Sequence, residues 1–490
     1  MSISPSDPLP FAEYGTDSIM QQTMDTTKAT LLIPVENQVR ELDSKVLLAC
    51  VAARRGFSSV IGFRREIHFH ISSFPPGIYL SKSMTSASDL VFKIVRNLGH
   101  EIVAWDEEAL VHLPPEIYYS RRLSPVAMTL VSHMFAWGQD NAELWRQYSQ
   151  LPNGAEINIT GNPRNDLLRP EIRPYYVKTV EELRKKHGDF ILINTNFNHV
   201  NAFYPGLNLF HPVQNSGEEP QFGRAAQGMT REYAEGLRDL KQAVFEKFQE
   251  LIPALEQAFP DCNIVVRPHP TENQEIYRQI AAQCERVLVT NEGNVVPWLM
   301  ATRAVIHNGC TTGVEAYVTD VPAISYRATV NEYYDYGFYR LPNLLSHQCF
   351  DFEELRRTLG KILAGELGAA GGAERKTLVD QYLAALDGPL ACERIVDVCD
   401  KIVAGRADST KPTWPRRLKG HCMATMRTLK RKFKARLPRS RNKPEFHRHR
   451  YPEVTLEEML ERVSRLHQVL GESRKLQVER ILGQFFRISP

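Results

Sequence analysis

Short apolar runs rich in β-branched residues alternate with longer stretches of helical periodicity along most of the chain. The run 29–35 is almost entirely apolar, which is typical of a strand buried on both faces of a sheet. The next stretch, 37–55, repeats apolar residues every three or four positions and stops at Gly56, as a helix does. This alternation predicts a doubly wound parallel sheet. Its predicted strands are 29–35, 59–62, 77–80, 101–105, 136–138 and 157–160.

A segment with two prolines, 169–174, interrupts the alternation and is interpreted as a linker between two domains. A second α/β series follows, with a long predicted helix near 229–258. The polar insertion 195–227, which carries several aromatic residues, is a candidate lid or acceptor loop. The predicted strands of this series are 190–194, 263–267, 287–289, 304–306 and 322–325. The sequence therefore predicts an α/β protein in which two Rossmann-like domains face a central cleft.

The chain changes character after the second series, where we predict helices over 375–404. A basic segment punctuated by prolines then leads into a predicted helical C-terminal region. The predicted organisation is a disordered segment at 1–27, Rossmann-like domains at 28–172 and 173–404, the basic segment at 405–452, and the helical region at 453–490.

Charge divides the molecule more sharply than the net value of +3 suggests. Residues 411–450 hold 15 Lys and Arg and one acidic residue, a charge of +14, so the remainder carries −11. Such a segment is expected to bind an anionic surface. Apolar residues recur within it every three or four positions, which is typical of a helix lying on an anionic membrane. They are Leu418, Cys422, Met426, Leu429, Phe433 and Leu437.

Two other interpretations of the basic segment stay open, a disordered cationic tail and a nucleic-acid-binding surface. The second has less support because no nucleic-acid-binding motif accompanies the charge, and we expect no nucleic-acid partner. The chain has no apolar run of roughly 18 residues and no signal-peptide pattern, so we expect a cytoplasmic protein without a membrane-spanning helix.

Several kinds of chemistry are disfavoured by missing motifs. The eight cysteines form no C-x-x-C pair and no H-E-x-x-H motif is present, so we expect free thiols and no metal site. Neither a Walker loop nor a G-x-G-x-x-G motif occurs, which argues against nucleotide hydrolysis and dinucleotide chemistry.

Two predicted strands of the second domain end in polar loops. Ligands bind at the carboxyl edge of an open parallel sheet, and guanidinium, imidazole, hydroxyl and helix N-terminal groups suit a phosphate. A plain strand end at 267–270, or helix capping by Thr311 or Thr312, would explain the same residues. The candidate anion-binding residues are Arg267, His269, Pro270, His307, Asn308, Thr311, Thr312 and Gly313.

Three consecutive carboxylates, Asp106, Glu107 and Glu108, follow the predicted strand 101–105. A transferase needs one carboxylate as a general base or as a nucleophile, and crowding is expected to raise the pKa of one member. The alternative is an acidic first turn of a helix, which the helix dipole favours.

Eight stretches between about residues 30 and 330 carry a family resemblance through their order and spacing. They are 32–36, 40–42, 106–108, 160–164, 166–171, 191–197, 267–270 and 310–316. The chain resembles the bacterial family called surface carbohydrate biosynthesis proteins. More distantly it is similar to GT-B glycosyltransferases that use CMP-activated sialic acid or Kdo-type sugars.

The resemblance implies roles for particular residues. Glu107-Glu108 would be the acidic pair that supplies the catalytic carboxylate, with Glu107 favoured, although Ala109 stands where Gly is usual. His269-Pro270 would touch the CMP phosphate of the donor, together with Thr311-Thr312. The first domain would bind the acceptor and the second the nucleotide sugar. Further candidate cleft residues are Arg40, Asn162, Arg164 and Asn196.

The implied activity is transfer of a nonulosonic or ulosonic acid from a CMP-activated donor to a surface polysaccharide or lipopolysaccharide acceptor. No metal and no cofactor besides this co-substrate are expected, and the protein would lie on the inner face of the cytoplasmic membrane. Two alternatives stay open, a polyol-phosphate transferase that uses CDP-glycerol and a non-catalytic scaffold of a polysaccharide assembly complex. The stereochemical outcome and the acting carboxylate stay open too.

Overall fold

Two β-sheets, each flanked by helices, form the framework of the computed structural model. The structure describes residues 27–213, 219–335, 340–405, 412–437, 451–471 and 475–490. The predicted disordered segment 1–27 lies outside these residues except for its last residue, and so does the 438–450 part of the basic segment.

The first domain is built on six parallel strands. They are β1 (Thr30–Val35), β2 (Ser58–Phe63), β3 (Ile78–Ser81), β4 (Glu101–Ala104), β5 (His133–Ala136) and β6 (Glu156–Ile159), in the order β2-β1-β3-β4-β5-β6. The helices of this domain are α1 (Gln38–Arg54), α2 (Arg64–Phe69), α3 (Asp89–Asn97), α4 (Pro115–Arg122), α5 (Pro125–Met128), α6 (Gln139–Arg146) and α7 (Pro163–Asp166). Strand β1 is buried and paired on both sides, which explains its nearly continuous apolar sequence.

The second domain contains a six-stranded parallel sheet. Its strands are β7 (Phe190–Thr195), β8 (Asn263–Pro268), β9 (Val287–Val289), β10 (Ala304–His307), β11 (Ala323–Tyr326) and β12 (His347–Cys349), in the order β12-β11-β10-β7-β8-β9. Its helices are α8 (Val177–His187), α9 (Arg231–Ala258), α10 (Glu275–Ala281), α11 (Val295–Ala301), α12 (Thr311–Val318), α13 (Glu332–Asp335), α14 (Arg340–Leu344) and α15 (Phe352–Leu363).

The strand order of each sheet reverses direction at one point, between β1 and β3 in the first domain and between β7 and β10 in the second. Crevices outside the carboxyl ends of the strands at such points are where open α/β sheets bind ligands. The loops that follow these strands line one shared cavity between the domains. The predicted GT-B-like arrangement of two Rossmann-like domains facing a cleft is therefore confirmed.

The C-terminal part of the chain returns to the first domain, which corrects two predictions. The predicted helical stretch 375–404 is interrupted. Its first part, α16 (Ala373–Tyr382), packs against α6, and its second part, α17 (Ala391–Ala404), packs against α1 and α7. The first domain therefore contains residues that we assigned to the second.

The predicted helical region 453–490 contains one helix, α19 (Leu456–Val469), followed by two strands, β13 (Gln477–Leu482) and β14 (Phe485–Ser489). Strand β14 pairs antiparallel with β2 and extends the first sheet to eight strands. Phe485, Phe486 and Ile488 become buried there, which outweighs the helical spacing of the sequence.

The basic segment contains a 22-residue helix, α18 (Trp414–Ala435), that packs against α3 of the first domain. None of the helices in the described part of the chain has the length and apolarity needed to cross a bilayer.

The insertion 195–227 is packed in its described residues. Leu209, Phe210, Ala225 and Ala226 form a small buried cluster with Leu113 and with the start of α9. His199 and Arg224 from this insertion line the cavity, and its role as a lid or acceptor loop stays a prediction.

Candidate active site

The central cleft encloses a cavity of about 470 Å³ between the two domains. The first domain lines it with residues that follow β1, β3 and β4, and the second with residues that follow β7, β8 and β10. In the second sheet, Arg267 and His307 are the register partners of Asn194 on its two sides, so the polar ends of three neighbouring strands lie side by side.

Arg40 connects the two walls of the cleft. Its Nη1 atom lies 3.4 Å from Oε1 of Glu108 and 3.5 Å from Nε2 of His269 in the opposite domain. Burial alone would lower the pKa of Arg40, but Glu108 and Glu107 outweigh it and raise the pKa above its usual value. Arg40 is therefore a fixed positive charge at the centre of the cleft.

His269 is oriented by its own loop. The backbone amide of Thr271 donates to its Nδ1 atom at 3.3 Å, and the Thr271 hydroxyl lies 2.8 Å from the same nitrogen. An Nδ1 that accepts this amide leaves the proton of the neutral ring on Nε2. The protonated Nε2 and the Arg40 guanidinium are then two donors 3.5 Å apart at the cavity, an arrangement that suits an anion.

The loop of His269 is held by a buried carboxylate that the sequence interpretation missed. Glu272 is fully buried and accepts from the amide of His269 at 3.0 Å and from the hydroxyl of Tyr277 at 2.7 Å. The Thr195 hydroxyl at the end of β7 donates to it at 3.1 Å. Burial raises the pKa of Glu272, and these donors oppose the rise. In the sequence, the position of Glu272 three residues after His269 could have indicated that this carboxylate holds the loop.

Helix α12 begins at Thr311 and directs its N-terminus at the cavity. Cys310 occupies the N-cap position without a side-chain hydrogen bond, so capping by Thr311 or Thr312 does not explain these residues. The Thr312 hydroxyl accepts from Asn194 Nδ2 at 3.0 Å, and buried Oδ1 of Asn194 has no hydrogen-bond partner among the described residues. A helix N-terminus beside an unpaired amide oxygen can accommodate an anion that also carries hydroxyl groups.

The three carboxylates of the acidic triplet lie in different environments. Asp106 is fully buried, with Oδ2 accepting from Tyr118 Oη at 2.9 Å and from Arg122 Nε at 3.0 Å. Arg122 Nη2 contacts its other oxygen. Asp106 does not line the cavity, and these partners occupy it, so the prediction of Asp106 as a catalytic residue is wrong.

Glu107 and Glu108 both line the cavity. Glu107 is 6% exposed and accepts from the indole of Trp105 at 2.8 Å, and its other oxygen lies 3.9 Å from Arg164. Burial would raise the pKa of Glu108, but Arg40, Arg122 and other cations outweigh it and lower the pKa to about 2. The expected upward shift from crowding is therefore not found at Glu108, because the neighbouring cations outnumber the neighbouring acids.

The backbone conformation at Ala109, where the resembled motif has Gly, does not require glycine. The non-glycine residues with positive φ in the described part of the chain are Asp320 and Ala385, so the backbone at Ala109 is in a region that any residue adopts. Its amide donates to the Asp106 carbonyl at 3.2 Å, which closes a turn.

Arg164 links the domains beneath the cavity. Its Nη2 atom donates to Glu315 Oε1 on α12 at 2.7 Å, and its guanidinium lies over the ring of Trp137. Both side chains of the pair are 10% exposed. The predicted cleft position of Arg164 is thus observed, with a partner in the opposite domain.

His307 does not reach the cavity, which corrects its assignment to anion binding. It is fully buried, accepts from the Gly309 amide at 3.0 Å and contacts the Ser346 hydroxyl at 2.8 Å. Burial lowers the pKa of His307 to about 3. A neutral histidine in the core under α12 explains these contacts.

Gly313 and Asn308 also lie outside the cavity lining. A Cβ atom on Gly313 would lie 2.5 Å from Nε2 of His307, and the Gly313 amide already donates to the Cys310 carbonyl at 3.0 Å. Asn308 accepts from the backbone amide of Asn196 at 2.9 Å. These two residues shape the strand ends instead of offering donors to a ligand.

Arg267 lines the cavity, but its hydrogen bonds hold the neighbouring loop. It donates to the carbonyls of Glu292 and Gly293 at 2.8 and 3.1 Å and lies over the ring of Trp298. Burial lowers the pKa of Arg267 to about 9. Its geometry supports the loop wall more directly than it supports anion binding.

Most of the remaining predicted residues line the cavity, and one of them supports a helix beside it. His269, Pro270, Thr311, Thr312 and Asn196 line the cavity. Asn162 does not line it, because this residue is buried and caps α7 through the Arg164 amide at 3.0 Å.

Arg121 is a cavity residue that the sequence interpretation missed. Burial, together with Arg122 and Arg224, lowers the pKa of Arg121 to about 10. No carboxylate forms an ion pair with it among the described residues. Arg121 lies on α4, more than twelve residues after the acidic triplet in the sequence. Its position in the cleft depends on the turn between the triplet and α4.

The described residues contain no cluster of three or more His, Cys, Asp or Glu side chains placed to hold a metal ion. The eight cysteines are free, as predicted, and burial raises the pKa of Cys310 near the cavity to about 11.

Comparisons with known proteins give no family assignment. No protein-family model matches the sequence, and no curated protein matches it significantly. Among solved structures, the chain is similar to the wall teichoic acid polymerase TagF, with 11% identity and a TM-score of 0.49 over 77% of this chain and 89% of that chain.

Two other similar structures are nucleotide-sugar epimerases by their names. The UDP-GlcNAc 2-epimerase of Methanocaldococcus jannaschii, in complex with UDP-GlcNAc and UDP, has 11% identity and a TM-score of 0.43 over 76% of this chain and 99% of that chain. A UDP-N-acetylglucosamine 2-epimerase described as putative from Listeria monocytogenes has 14% identity and a TM-score of 0.44 over 77% and 97%. At these values the likeness carries no conclusion about chemistry.

Proposed function

We propose that the protein is a glycosyltransferase that moves a nonulosonic or ulosonic acid from a CMP-activated donor to a surface polysaccharide or lipopolysaccharide acceptor. The observation that supports this most is the composition of the one cleft. His269 and the N-terminus of α12 on the second domain, which are groups suited to an anion, line the same cavity as the carboxylate of Glu107 on the first domain. Transfer from a phosphate-linked sugar needs both.

The phosphate of the donor lies between Arg40, His269 and the N-terminus of α12. As the bond from the anomeric carbon to the phosphate oxygen breaks, the electron pair leaves with CMP. The guanidinium and the Nε2 proton then stabilise the added negative charge. Glu108 holds Arg40 in place, since it stays ionised at neutral pH and lies 3.4 Å from it.

Glu107 acts on the acceptor. Its carboxylate takes the proton of the acceptor hydroxyl while the acceptor oxygen bonds to the anomeric carbon. The Trp105 indole fixes one oxygen at 2.8 Å, which leaves the other directed toward Arg164 and the cavity. Asp106 only anchors this segment, through Arg122 and Tyr118.

Arg121 favours an acidic sugar over a neutral polyol. A CMP-activated nonulosonic acid carries a carboxylate on its anomeric carbon in addition to the phosphate, so it needs a second cation. Arg121 lines the same cavity as Arg40 and forms no ion pair among the described residues. We assign Arg121 to the sugar carboxylate, a group that CDP-glycerol lacks.

A thermal-shift series with CMP, CDP, UDP and GDP tests the nucleotide, because a ligand that binds the folded state raises the unfolding temperature. We expect stabilisation by the cytidine nucleotides alone. His269→Ala should abolish the CMP shift, whereas His211→Ala, an exposed histidine outside the cavity lining, should keep it. The absence of a shift with every nucleotide would refute the proposal.

Release of CMP from CMP-Kdo or CMP-sialic acid in the presence of acceptor glycan tests the donor. Release from CDP-glycerol alone would instead identify a polyol-phosphate transferase. Glycan production that survives Glu107→Ala and His269→Ala unchanged in cells would identify a scaffold. Arg121→Gln should raise KM for the acidic donor while leaving the CMP thermal shift intact.

A further inference from the structure

Helix α18 turns its apolar side chains away from the protein. Trp414, Met426, Leu429 and Phe433 are 74, 63, 61 and 65% exposed, and Leu418 and Leu437 are nearly half exposed. A surface helix of a globular protein normally buries its apolar stripe against the core. Here the stripe predicted from the sequence forms an apolar ridge in solvent.

The opposite face of α18 holds the helix on the first domain. Its buried residues are Gly420, Ala424 and Arg427. A Cβ atom on Gly420 would lie 3.1 Å from the side chain of Leu98, so glycine permits close contact with the end of α3. Arg427 Nη2 lies 3.4 Å from Nδ1 of His68. The orientation of the ridge is thus fixed by packing, and the exposed apolar residues are not the face that folding requires.

Positive charge surrounds the ridge. The helix contains no Asp or Glu, and its last turns carry Lys430, Lys432 and Lys434, all exposed. Twenty-two residues give a helix about 33 Å long, enough to lie along a surface over its whole length. A second copy of the chain would bring the same positive charges to the contact, so charge disfavours self-association through this face.

We propose that α18 docks the protein on an anionic lipid bilayer, with the apolar ridge inserted at the boundary between headgroups and acyl chains. Lysine and arginine side chains along the ridge contact lipid phosphates, and the helix axis lies in the membrane plane. This inference is independent of the proposed function, because it depends on no residue of the cleft.

Trp414 provides an internal reporter of docking. The other four tryptophans, Trp105, Trp137, Trp145 and Trp298, are at most 4% exposed, so a lipid-induced blue shift of tryptophan emission arises from Trp414. We expect this shift and co-sedimentation with vesicles of equal parts phosphatidylcholine and phosphatidylglycerol. Vesicles of phosphatidylcholine alone should give much weaker binding, and added salt should weaken the binding to anionic vesicles. Trp414→Phe should remove the blue shift and retain co-sedimentation.

Matched variants distinguish membrane docking through α18 from nonspecific hydrophobic adsorption to vesicles. The triple change of Met426, Leu429 and Phe433 to Ser should lower vesicle affinity about tenfold or more while leaving the unfolding temperature unchanged, because these side chains are exposed. The same change at Leu288, Leu344 and Leu460, exposed leucines elsewhere, should have no effect on binding.

Replacing Lys430, Lys432 and Lys434 by Gln should reduce binding to anionic vesicles, whereas Gln at Lys185, Lys186 and Lys376 should not. Binding that survives both α18 triple variants, or that is absent at low salt, would overturn the proposal. So would a dimer in sedimentation velocity that the Ser triple variant dissociates, because the ridge would then be an interface between copies. An unchanged unfolding temperature serves as the control for an intact fold in every variant, so that the outcome does not depend on the proposed donor.

Discussion

At the scale of single residues, the segment 106–108 shows how adjacent carboxylates acquire different properties. Asp106 is buried, paired with Arg122 and hydrogen-bonded by Tyr118, Glu107 is held at the cavity wall by Trp105, and Glu108 faces Arg40. The local backbone turn, closed by the Ala109 amide, directs the three side chains in different directions. Their contributions to folding and to chemistry should therefore be separable by mutation.

Asp106→Asn should mainly lower the stability of the protein, whereas Glu107→Gln should mainly lower its activity. Removing the charge of Asp106 leaves the partly buried Arg122 with a neutral partner, so we expect a loss of about 2–3 kcal/mol in the free energy of unfolding. Glu107→Gln keeps the shape of the side chain and should alter stability little while lowering kcat by about 100-fold or more. Urea unfolding and CMP release measure the two effects. A Glu107→Gln enzyme with wild-type turnover would exclude Glu107 as the base.

The buried His307 leads to a second prediction, which concerns the pH dependence of stability. Its pKa is about 3 in the folded protein because burial disfavours the imidazolium. The unfolded chain takes up this proton below about pH 6.5, so it binds more protons than the folded state between these values. Stability from this residue is therefore present at neutral pH and is lost as the pH falls through that window.

Asn in place of His307 can still accept from the Gly309 amide and cannot titrate. The loss of unfolding free energy between pH 7 and pH 5 should therefore be roughly 2 kcal/mol smaller in His307→Asn than in the wild type. His421→Asn, at an exposed position on α18, is the control. An unchanged pH slope in His307→Asn would mean that this histidine already titrates at ordinary pH in the folded state.

The residue types at the strand ends could be read from the sequence, but the direction of each side chain could not. The motifs placed Arg267, His269 and His307 at the carboxyl edge of one sheet, which the structure confirms. Whether a side chain at a strand end points into the cleft or into the layer below depends on strand register and on helix packing. His307 ends under α12 for this reason, while His269, two residues after Arg267, reaches the cavity.

At the scale of elements, the position of the N-terminus of α12 depends on the absence of a side chain at Gly313. Gly313 lies where a Cβ atom would approach the His307 ring to 2.5 Å, so the first turn of the helix rests directly on the imidazole. That contact sets the position of Thr311 and Thr312 at the cavity. The residue thus affects anion binding through packing, although it offers no donor itself.

Gly313→Ala should lower the free energy of unfolding by about 1–3 kcal/mol, because the added methyl group must displace the ring or the helix. The CMP thermal shift should fall with it, since the helix N-terminus moves. Gly360→Ala on α15 is the matched control, because no atom lies within 4 Å of its Cβ position. There we expect a gain of about 0.5–1 kcal/mol from helix propensity. Equal effects of the two substitutions would contradict the packing argument.

Most elements of the two sheets could be predicted because buried parallel strands leave continuous apolar runs between helical stretches. The hairpin of β13 and β14 could not, because short apolar segments fit strand and helix patterns alike. Its strand conformation is decided by pairing with β2, more than 400 residues earlier in the chain. The turn at Gly483, which has a positive φ, was the local signal.

At the scale of the whole molecule, the two domains are connected by more than the linker. The chain crosses back at α16 and α17 to pack on the first domain, and Arg169 donates to the carbonyls of Ala385 and Gly388 between these two helices. The apolar core contains buried residues of both sheets. Sequence patterns cannot reveal such crossings, because they depend on contacts between distant segments.

The pair of Arg164 and Glu315 joins the domains directly at the cavity wall. Each side chain is 10% exposed, so removing one partner leaves a largely desolvated charge. We expect Glu315→Gln and Arg164→Met each to lower the free energy of unfolding by about 3 kcal/mol. The double variant should lose clearly less than the sum, because the second change removes the charge that the first left without its partner at 2.7 Å.

Because α12 carries Glu315 and Arg164 lies near Glu107, separation of the pair should also uncouple the two walls of the cleft. CMP would then still stabilise Glu315→Gln, through His269 and α12, while turnover falls as Glu107 loses its position relative to the donor. Additive effects in the double-variant cycle, or full turnover in Glu315→Gln, would show that the domains are held in register by the apolar core and the returning segment alone.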